Sequence, residues 1–399
     1  MKNVAVMGYG TVGSGVFEVL TRNKETVSKN VGEELNVKYV LDLREFPGDP
    51  VENVLTHNFD DILNDEEVSV VAEVMGGIEP AYTFTKKCLL AGKSVCTSNK
   101  ALVEKHGAEL LAIAKEKNVN YLFEASVGGG IPIIRPLHTC LTADVIEEIS
   151  GILNGTTNYM LTKMSVEGAD YADVLKDAQD KGYAERNPEA DVEGHDPARK
   201  IAILTSLITG KKVDFEDIYC EGITKVSPSD IAYAKKLGLA IKLLATSKKI
   251  GDQYSIMVSP KMIGSTHPLF AVNDVFNAVF VKGNMLGDSM FYGSGAGKLP
   301  TASAVAGDIV EAAKVTGNTG YLWTEEKLAL ADISAVENKF FVRANAAAEE
   351  VKAVFGNVFV MDDVADGELG FVTEKMTEAA YAECAAKLNG IISMIRVEG

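Results

Sequence analysis

Residues 3–13 read Asn-Val-Ala-Val-Met-Gly-Tyr-Gly-Thr-Val-Gly, an apolar run that passes directly into a glycine-rich turn. The apolar run is typical of a buried β-strand, and the residues that follow have the apolar spacing of a helix. Gly8, Gly10 and Gly13 have the spacing of a turn that lets a pyrophosphate approach the first N–H groups of a helix. A plain strand-turn-helix connection would use the same glycines, so this motif needs support from the rest of the chain.

The chain beyond this turn alternates between apolar strands and amphipathic helices. We predict strands at 37–41, 68–75, 94–97 and 119–123, with helices at 81–91 and 102–117 between them. The strand at 68–75 is almost wholly apolar, as expected for a parallel strand that is covered on both faces. The sequence therefore predicts an α/β fold with a Rossmann-type doubly wound parallel sheet.

The later part of the chain has a different pattern. From residue 133 to about 299, long helices mix with hairpin-like strands, as at 241–247 and 254–259, which indicates an α+β domain. From residue 338 to 399 the predicted order is βαββαβ. We expect a dinucleotide-binding domain at 1–132 with about 300–320, a catalytic and dimerisation domain at 133–299, and a C-terminal domain at 338–399.

Composition excludes several classes of protein. The 399 residues include 39 Lys+Arg and 56 Asp+Glu, a formal charge of −17, which argues against binding to nucleic acid or to an anionic membrane surface. The hydrophobic fraction of 47% excludes wholesale disorder. The five cysteines have no metal-site spacing, and no apolar run reaches the roughly 18 residues of a membrane span. A cytoplasmic location is expected.

Charged residues follow two of the predicted strands, at the sheet edge where ligands bind in doubly wound folds. Asp42 could accept a hydrogen bond from a ribose 2′-hydroxyl, which favours NAD, whereas Arg44 could pair with a 2′-phosphate, which favours NADP. Either could equally be a solvated charge. Lys100, after the strand at 94–97, could bind substrate or transfer a proton, or could be a surface lysine at the start of a helix.

An acidic segment ends in a lysine that precedes an apolar run. If Asp196 opens a helix, Asp196 and Lys200 lie on one face at i and i+4, with Lys200 at the edge of a buried helix. Burial would lower the pKa of that amine and suit it to proton transfer. Glu185 and Asp191 could receive an ammonium or hydroxyl group. The alternative is an acidic capping loop with an exposed ion pair.

Two glycine-rich segments are, on their own, weaker evidence for ligand binding. Glu124 precedes Gly128-Gly129-Gly130, and such a turn can present carbonyl oxygens to a hard cation, although an interdomain hinge explains it as well. The loop at 293–297 could bring its backbone close to a ligand, or could be an ordinary turn.

The segment from Ala178 to Lys200 resembles the signature of the homoserine dehydrogenases at every defined position. The resemblance covers about residues 1–320 and is supported by further segments: the Gly8 turn, Glu73 with Gly76-Gly77, Thr97 to Lys100, Glu124 to Pro132, Asn154 to Asn158, and Gly293 to Thr301. It implies interconversion of L-homoserine and L-aspartate 4-semialdehyde with NADP or NAD, on the route to threonine, methionine and isoleucine. It also implies a homodimer or higher homo-oligomer.

The resemblance implies roles for individual residues. Lys200 resembles the catalytic proton donor, and Lys100 a second active-site lysine. The expected substrate-binding residues are Glu185, Asp191, Asp196, Tyr183 and Thr156. The expected cofactor-binding residues, from the motifs and the resemblance together, are Gly8, Gly10, Thr11, Val12, Gly13, Asp42, Arg44, Gly76, Gly77, Lys100, Gly182 and Gly297. A monovalent cation, with sodium as the family ion, is expected at Glu124, Val127, Gly129 and Ile131, largely through backbone carbonyls.

The C-terminal segment resembles an ACT domain in its element order. It lacks the usual Asp-x-x-Gly turn after its first strand, where Asn345-Ala346-Ala347-Ala348 stands instead. We therefore expect this ACT-like unit to support assembly, with weak or absent threonine feedback.

Two other functions fit the sequence less well. A phosphorylating semialdehyde dehydrogenase would need a nucleophilic cysteine with a histidine and a phosphate-binding arginine, and no such trio is evident. A non-catalytic amino-acid sensor would not need Lys200 or Asp196, and both are present.

Overall fold

The computed structural model describes residues 1–315, 317, 320 and 323–398. The chain divides into two compact units. The first comprises Met1–Val145, Ala202–Glu216 and Phe291–Leu328, and the second comprises Ile146–Ile201, Asp217–Met290 and Ala329–Gly399. The three-domain division expected from the sequence stays a prediction, and its positions 316, 318, 319 and 399 lie outside the described residues.

The strands, in chain order, are β1 Lys2–Met7, β2 Leu35–Leu41, β3 Leu55–Thr56, β4 Val68–Glu73, β5 Ser94–Thr97, β6 Tyr121–Leu122, β7 Ile146–Ile152, β8 Lys211–Lys212, β9 Tyr219–Cys220, β10 Leu239–Ile250, β11 Gln253–Gly264, β12 Phe276–Gly283, β13 Gly287–Ser294, β14 Thr324–Lys327, β15 Glu337–Ala344, β16 Val358–Met361, β17 Leu369–Thr373, β18 Met376–Thr377 and β19 Ile391–Glu398.

The α-helices are α1 Thr11–Arg22, α2 Lys24–Val31, α3 Phe59–Leu63, α4 Ala81–Leu90, α5 Lys100–Lys117, α6 Gly155–Glu167, α7 Tyr171–Asp180, α8 Glu189–Val192, α9 His195–Thr209, α10 Pro228–Lys236, α11 Lys298–Lys314, α12 Ala348–Phe355 and α13 Glu378–Ala385. Among the residues that the structure describes, no helix combines the length and the apolar composition that a membrane crossing requires.

The first unit contains the parallel sheet that the sequence predicts. Its strands follow the order β3-β2-β1-β4-β5-β6, and every pairing in it is parallel. β1 and β4 are buried along nearly their whole length, as their largely apolar sequences require. The strand order reverses between β1 and β4: β2 and β3 lie on one side of β1, and β4 to β6 lie on the other. Such a switch point is where doubly wound sheets bind ligands. The predicted doubly wound fold is confirmed.

The second unit contains a separate mixed sheet. Its hydrogen-bonded strands include β12, β7, β10, β11, β19, β15, β17 and β16, in that order. β10 and β11 form the predicted antiparallel hairpin, longer than expected at both ends. β19 joins β11 in parallel and β15 in antiparallel pairing, so the C-terminal strands continue the sheet of this unit.

The C-terminal segment has its own apolar core. Phe340, Val342 and Phe371 on the strands pack with Val351 and Tyr381 on the helices. The elements follow the predicted βαββαβ order, with the short β18 added before α13. The helices cover one face of this part of the sheet because the strand residues on that face are apolar.

Candidate active site

The glycine turn lies between β1 and α1, where the sequence analysis expects it. Gly8 has a φ of +101°, and its N–H donates to the Leu41 carbonyl over 2.8 Å. A Cβ on Gly13 would lie 1.9 Å from the Gly8 carbonyl oxygen, so only glycine fits there. A Cβ on Gly10 would meet no atom within 4 Å. The N-terminus of α1, with Thr11 and Val12 in its first turn, therefore has open space for an anion.

Asp42 and Arg44 form an ion pair beside this turn. Asp42 accepts hydrogen bonds from the Arg44 guanidinium at 2.9 and 3.0 Å and from the Tyr9 N–H at 2.8 Å. The Arg44 guanidinium holds the pKa of the Asp42 carboxyl well below its usual range, against the opposing effect of burial. Arg44 remains largely exposed, while Asp42 is nearly buried. Asp42 and Arg44, which by sequence favour different coenzymes, thus bind each other.

A buried carboxylate links the ends of β4 and β5. Glu73 has no solvent exposure, and its two oxygens accept from the Met75 N–H over 2.8 Å and the Thr97 hydroxyl over 2.5 Å. Burial raises the pKa of Glu73 to about 7. The sequence motifs give no role to Glu73, although its place at the carboxyl end of a central strand is a usable signal.

The same network reaches the loop at Gly76-Gly77 and the start of α5. The Asn99 amide donates to the Gly77 carbonyl over 2.6 Å, and its oxygen accepts from the Leu102 N–H, which caps α5. The Asn99 N–H in turn donates to the Thr97 hydroxyl. Lys100 is the first residue of α5 and is half-buried. The backbone before Lys100 is therefore fixed by side-chain hydrogen bonds.

In the second unit, Asp196 and Lys200 form the predicted i,i+4 pair. The Lys200 Nζ donates to Asp196 Oδ2 over 2.8 Å and to the Leu153 carbonyl over 2.6 Å. Both side chains are about nine-tenths buried or more. Asp196 lies in the first turn of α9, and the run after Lys200 is buried, so the predicted position of this lysine at the edge of a buried helix is confirmed.

Asn154 organises the acidic groups around this pair. Its amide nitrogen donates to Asp191 over 2.7 Å and to Asp196 over 2.9 Å. Its oxygen accepts from the Thr157 N–H over 2.9 Å and so caps α6. Asp191, Asp196 and Lys200 are thus brought together by one amide from a distant part of the chain. Asn154 belongs to the family resemblance, but its sequence context predicts no role for it.

Three further expected residues, Gly182, Tyr183 and Glu185, lie on the loop that follows α7. The Thr156 hydroxyl donates to the Tyr183 carbonyl over 2.7 Å, which ties the start of α6 to that loop. Glu185 is exposed, and only its main-chain carbonyl has a described hydrogen bond, from Gln179. Gly182 has a φ of +74°, so glycine is favoured at this bend.

The segment expected to bind a cation is buried in the first unit. The Glu124 carboxylate accepts from the N–H groups of Ile133, Ile134 and Arg135 at 2.6 to 2.8 Å. Asp308 accepts from the Glu124 N–H and from the Arg135 guanidinium, and burial raises the pKa of Asp308 to about 7. The carboxylate of Glu124 is therefore committed to backbone donors, which leaves main-chain carbonyls as the available ligands.

The glycines of this segment permit close packing against the loop at 293–297. A Cβ on Gly129 would lie 2.3 Å from the Gly295 carbonyl oxygen, and Gly129 has a φ of +58°. The Ile131 N–H donates to the Gly128 carbonyl, which makes a tight turn after Val127. Gly297, with a φ of +118°, precedes α11. Within residues 1–315, 317, 320 and 323–398, no group of three or more His, Cys, Asp or Glu side chains could hold a metal ion.

Comparison with protein-family models identifies the family of the chain that carries the glycine turn and the Lys200 cluster. The model described as "Homoserine dehydrogenase" matches residues 132–310, and the model described as "Homoserine dehydrogenase, NAD binding domain" matches residues 8–124. The chain belongs to the homoserine dehydrogenase family.

Individual members of the homoserine dehydrogenase family agree with this assignment over nearly the whole chain. The homoserine dehydrogenase of Bacillus subtilis is 38% identical over 429 residues, covering 99% of this chain and 98% of that protein. A crystal structure of a homoserine dehydrogenase from Thiobacillus denitrificans superposes with a TM-score of 0.89 at 34% identity, covering 100% of this chain and 98% of that one.

A third relative was solved with a bound dinucleotide. It is a hyperthermophilic archaeal homoserine dehydrogenase in complex with NADPH, with a TM-score of 0.67 and 30% identity. It covers 78% of this chain and 98% of its own. The activity is that of a homoserine dehydrogenase, an NAD(P)-dependent oxidoreductase that acts on a small-molecule substrate.

Proposed function

We propose that the amine of Lys200 moves the proton when L-homoserine and L-aspartate 4-semialdehyde are interconverted. The observation that carries this proposal is the burial of Lys200 against Asp196 and the Leu153 carbonyl. The homoserine hydroxyl loses a proton as hydride leaves its carbon, and a buried amine is a suitable group to take that proton. In the reverse direction the same ammonium supplies a proton to the carbonyl oxygen, and Asp196 stabilises the charged form.

The acidic groups near Lys200 bind and orient the substrate. Asn154 holds the carboxylates of Asp191 and Asp196 in place, which limits the reorganisation needed when substrate binds. The exposed carboxylate of Glu185 is positioned to receive the substrate ammonium, with Tyr183 and Thr156 shaping the same loop. From the family resemblance, we assign Lys100 as a second active-site lysine.

The glycine turn fits a dinucleotide, because the space beside Gly10 at the start of α1 is open and can receive a pyrophosphate. When bound, the nicotinamide supplies hydride chemistry. We favour NADP over NAD for this chain. Asp42 is neutralised by Arg44, which weakens it as an acceptor for a ribose 2′-hydroxyl, while the exposed guanidinium of Arg44 can meet a 2′-phosphate.

A monovalent cation, with sodium the first choice, would be held by main-chain carbonyls of Glu124, Val127, Gly129 and Ile131. Sodium is a hard cation that accepts such oxygen ligands. The Glu124 side chain supports this segment by binding the N–H groups at 133–135.

The C-terminal segment would serve as an ACT-like assembly unit in a homodimer or higher oligomer. Its Asn345-to-Ala348 turn, in place of Asp-x-x-Gly, supports weak or absent threonine feedback. We also propose a cytoplasmic enzyme without nucleic-acid or membrane partners.

Lys200→Ala tests the proton role. We expect homoserine oxidation to lose about 10²-fold or more in turnover, the usual scale for general acid–base catalysis, while NADPH binding measured by fluorescence persists. Lys163→Ala is the matched control, because it also removes an i,i+4 ion pair, with Glu167, on a neighbouring helix. Near-normal turnover of Lys200→Ala would transfer the role to Lys100, and loss of NADPH binding would indicate misfolding instead.

A further inference from the structure

A cavity of about 490 Å³ lies in the second unit, away from Lys200 and its neighbours in sequence. It is bounded by the β10–β11 hairpin on one side and by the start of β15 and the end of β19 on the other. A volume in this range is that of a metabolite-sized binding site. Neither the family resemblance nor the site around Lys200 gives this cavity a function.

The walls of the cavity carry an excess of positive charge. Four lysines line it, Lys248, Lys261, Lys339 and Lys375, against the two carboxylates of Glu337 and Glu398. The whole chain has a formal charge of −17, so the local excess runs against the general composition. A cavity of this polarity favours an anion over a cation or a neutral apolar molecule.

Lys261 is the buried group of this wall. Its side chain is 7% exposed, and its Nζ donates to Glu398 over 2.8 Å and to the Thr246 hydroxyl over 3.2 Å. Both acceptors also line the cavity, so the ammonium group itself lies at the wall. An ammonium has three N–H donors, and only two have acceptors among the described residues. The third is available to a ligand in the cavity.

Lys339 supplies a second anion-binding group. It is half-buried on β15 and lines the cavity, and within the described part of the chain it has no carboxylate partner. By contrast, Lys375 pairs with Glu337 at 3.1 Å and Lys248 pairs with Glu148 at 3.4 Å. Burying a charge costs free energy unless a counter-charge is supplied. A ligand that brings that counter-charge would be stabilised here.

We propose that this cavity binds a small metabolite with two negative charges, a dicarboxylate or a phosphate monoester, through Lys261 and Lys339. One charge of the ligand pairs with Lys339, and the other accepts the remaining N–H of the Lys261 ammonium. Because the wall includes β10 and β11 as well as β15 and β19, the bound ligand holds the C-terminal strands to the rest of their sheet.

The test uses the full-length protein with succinate and with glycerol 3-phosphate as separate probes, at constant ionic strength. Calorimetric titration and thermal unfolding are measured, with sodium chloride as the reference. We expect saturable binding of one probe and a rise in Tm that chloride does not give. Binding of succinate alone identifies a dicarboxylate, and binding of glycerol 3-phosphate alone identifies a phosphate monoester.

Lys339→Gln should weaken that binding about tenfold or more, the effect of losing one charge-assisted hydrogen bond. Lys249→Gln is the control, because it removes the same charge from β10 at a residue that does not line the cavity. Lys339 is preferred to Lys261 because removing Lys261 would strand Glu398 and could unfold the unit. The proposal fails if neither probe binds more tightly than about 5 mM, which corresponds to a weak complex, or if both variants bind like the wild type.

Discussion

At the scale of single residues, Glu73 holds a carboxylate in a place without solvent at the end of β4. Burial raises its pKa to about 7, although the Thr97 hydroxyl and the Met75 N–H both donate to it. These two donors favour the ionised form, and the absence of water favours the protonated form. The balance leaves Glu73 titrating near neutral pH, within the network that fixes the Gly77 loop and Asn99.

This shift predicts a pH dependence of stability in the first unit. The folded state binds the Glu73 proton more tightly than the unfolded chain does, so its contribution is complete below about pH 4.5 and is lost as pH rises through about 7. The free energy of unfolding should fall by about 3 kcal/mol across this window. Glu73→Gln should remove this part of the pH dependence.

Urea unfolding at pH 5 to 8, followed by fluorescence of Trp323, provides the measurement, since this is the single tryptophan and is buried in the same unit. Glu66→Gln, an exposed substitution before β4, is the control and should keep the wild-type slope. Parallel pH profiles for Glu73→Gln and wild type would contradict the assignment.

Arg44 gives a second prediction at this scale. Arg44→Ser should raise the KM for NADP by about tenfold or more, since a charge-assisted contact to the 2′-phosphate is lost, and should leave the KM for NAD nearly unchanged. Steady-state kinetics with both coenzymes and homoserine measure this. Arg22→Ser, which removes an exposed arginine from the end of α1, should change neither value. Equal effects on the two coenzymes would exclude a phosphate-specific role.

At the scale of elements, Gly13 and Gly10 of the same turn are glycines for different physical reasons. Gly13→Ala would place a Cβ 1.9 Å from the Gly8 carbonyl oxygen, so β1 or α1 must shift, and stability should fall by about 2 kcal/mol or more. Gly10→Ala meets open space at a φ of −82°, so stability should hold while NADPH affinity falls. Thermal unfolding and NADPH titration of both variants separate the effects, and unchanged stability of Gly13→Ala would contradict the packing argument.

Secondary-structure elements and side-chain pairs could be predicted from the sequence where they depend on contacts between residues close in the chain. β5 has the predicted bounds, and the Asp196–Lys200 pair follows from helical spacing alone. The contact of Asn154 with Asp196 joins positions 42 apart, and no local pattern signals it. The pairing of Asp42 with Arg44 depends on side-chain rotamers that propensity does not fix. The Glu124 carboxylate binds backbone N–H groups nine to eleven positions later, and no local pattern signals these contacts.

At the scale of the whole molecule, the C-terminal segment completes the sheet of the second unit. β19 pairs with β11, whose residues are almost all buried, and the Arg396 guanidinium binds Glu221 and Glu378 inside that unit. The archaeal NADPH complex matches 78% of this chain over 98% of its own length. In this chain the C-terminal segment covers the edge of β11 at Lys261–Ile263, through its strand β19.

A chain ending at Val336 should therefore lose stability and self-associate. Removing β15 to β19 exposes the backbone edge of β11 at Lys261–Ile263, and unpaired apolar edges promote aggregation. Light scattering and size-exclusion chromatography over a range of concentrations measure this. Full-length protein with Lys375→Ala, an exposed substitution in the same segment, should behave like the wild type. A monodisperse, equally stable truncated chain would refute the covering role.

The pairing of Lys261 with Arg396 also has a consequence for biosynthesis. A ribosome must add 135 more residues after Lys261 before the partner strand exists, and the Lys261–Ile263 end of β11 lacks that partner during this time. Such a delay makes the growing polypeptide a natural client for chaperones that shield strand edges. Slower translation between positions 264 and 391 would lengthen the delay and lower the yield of folded enzyme, without altering the finished molecule.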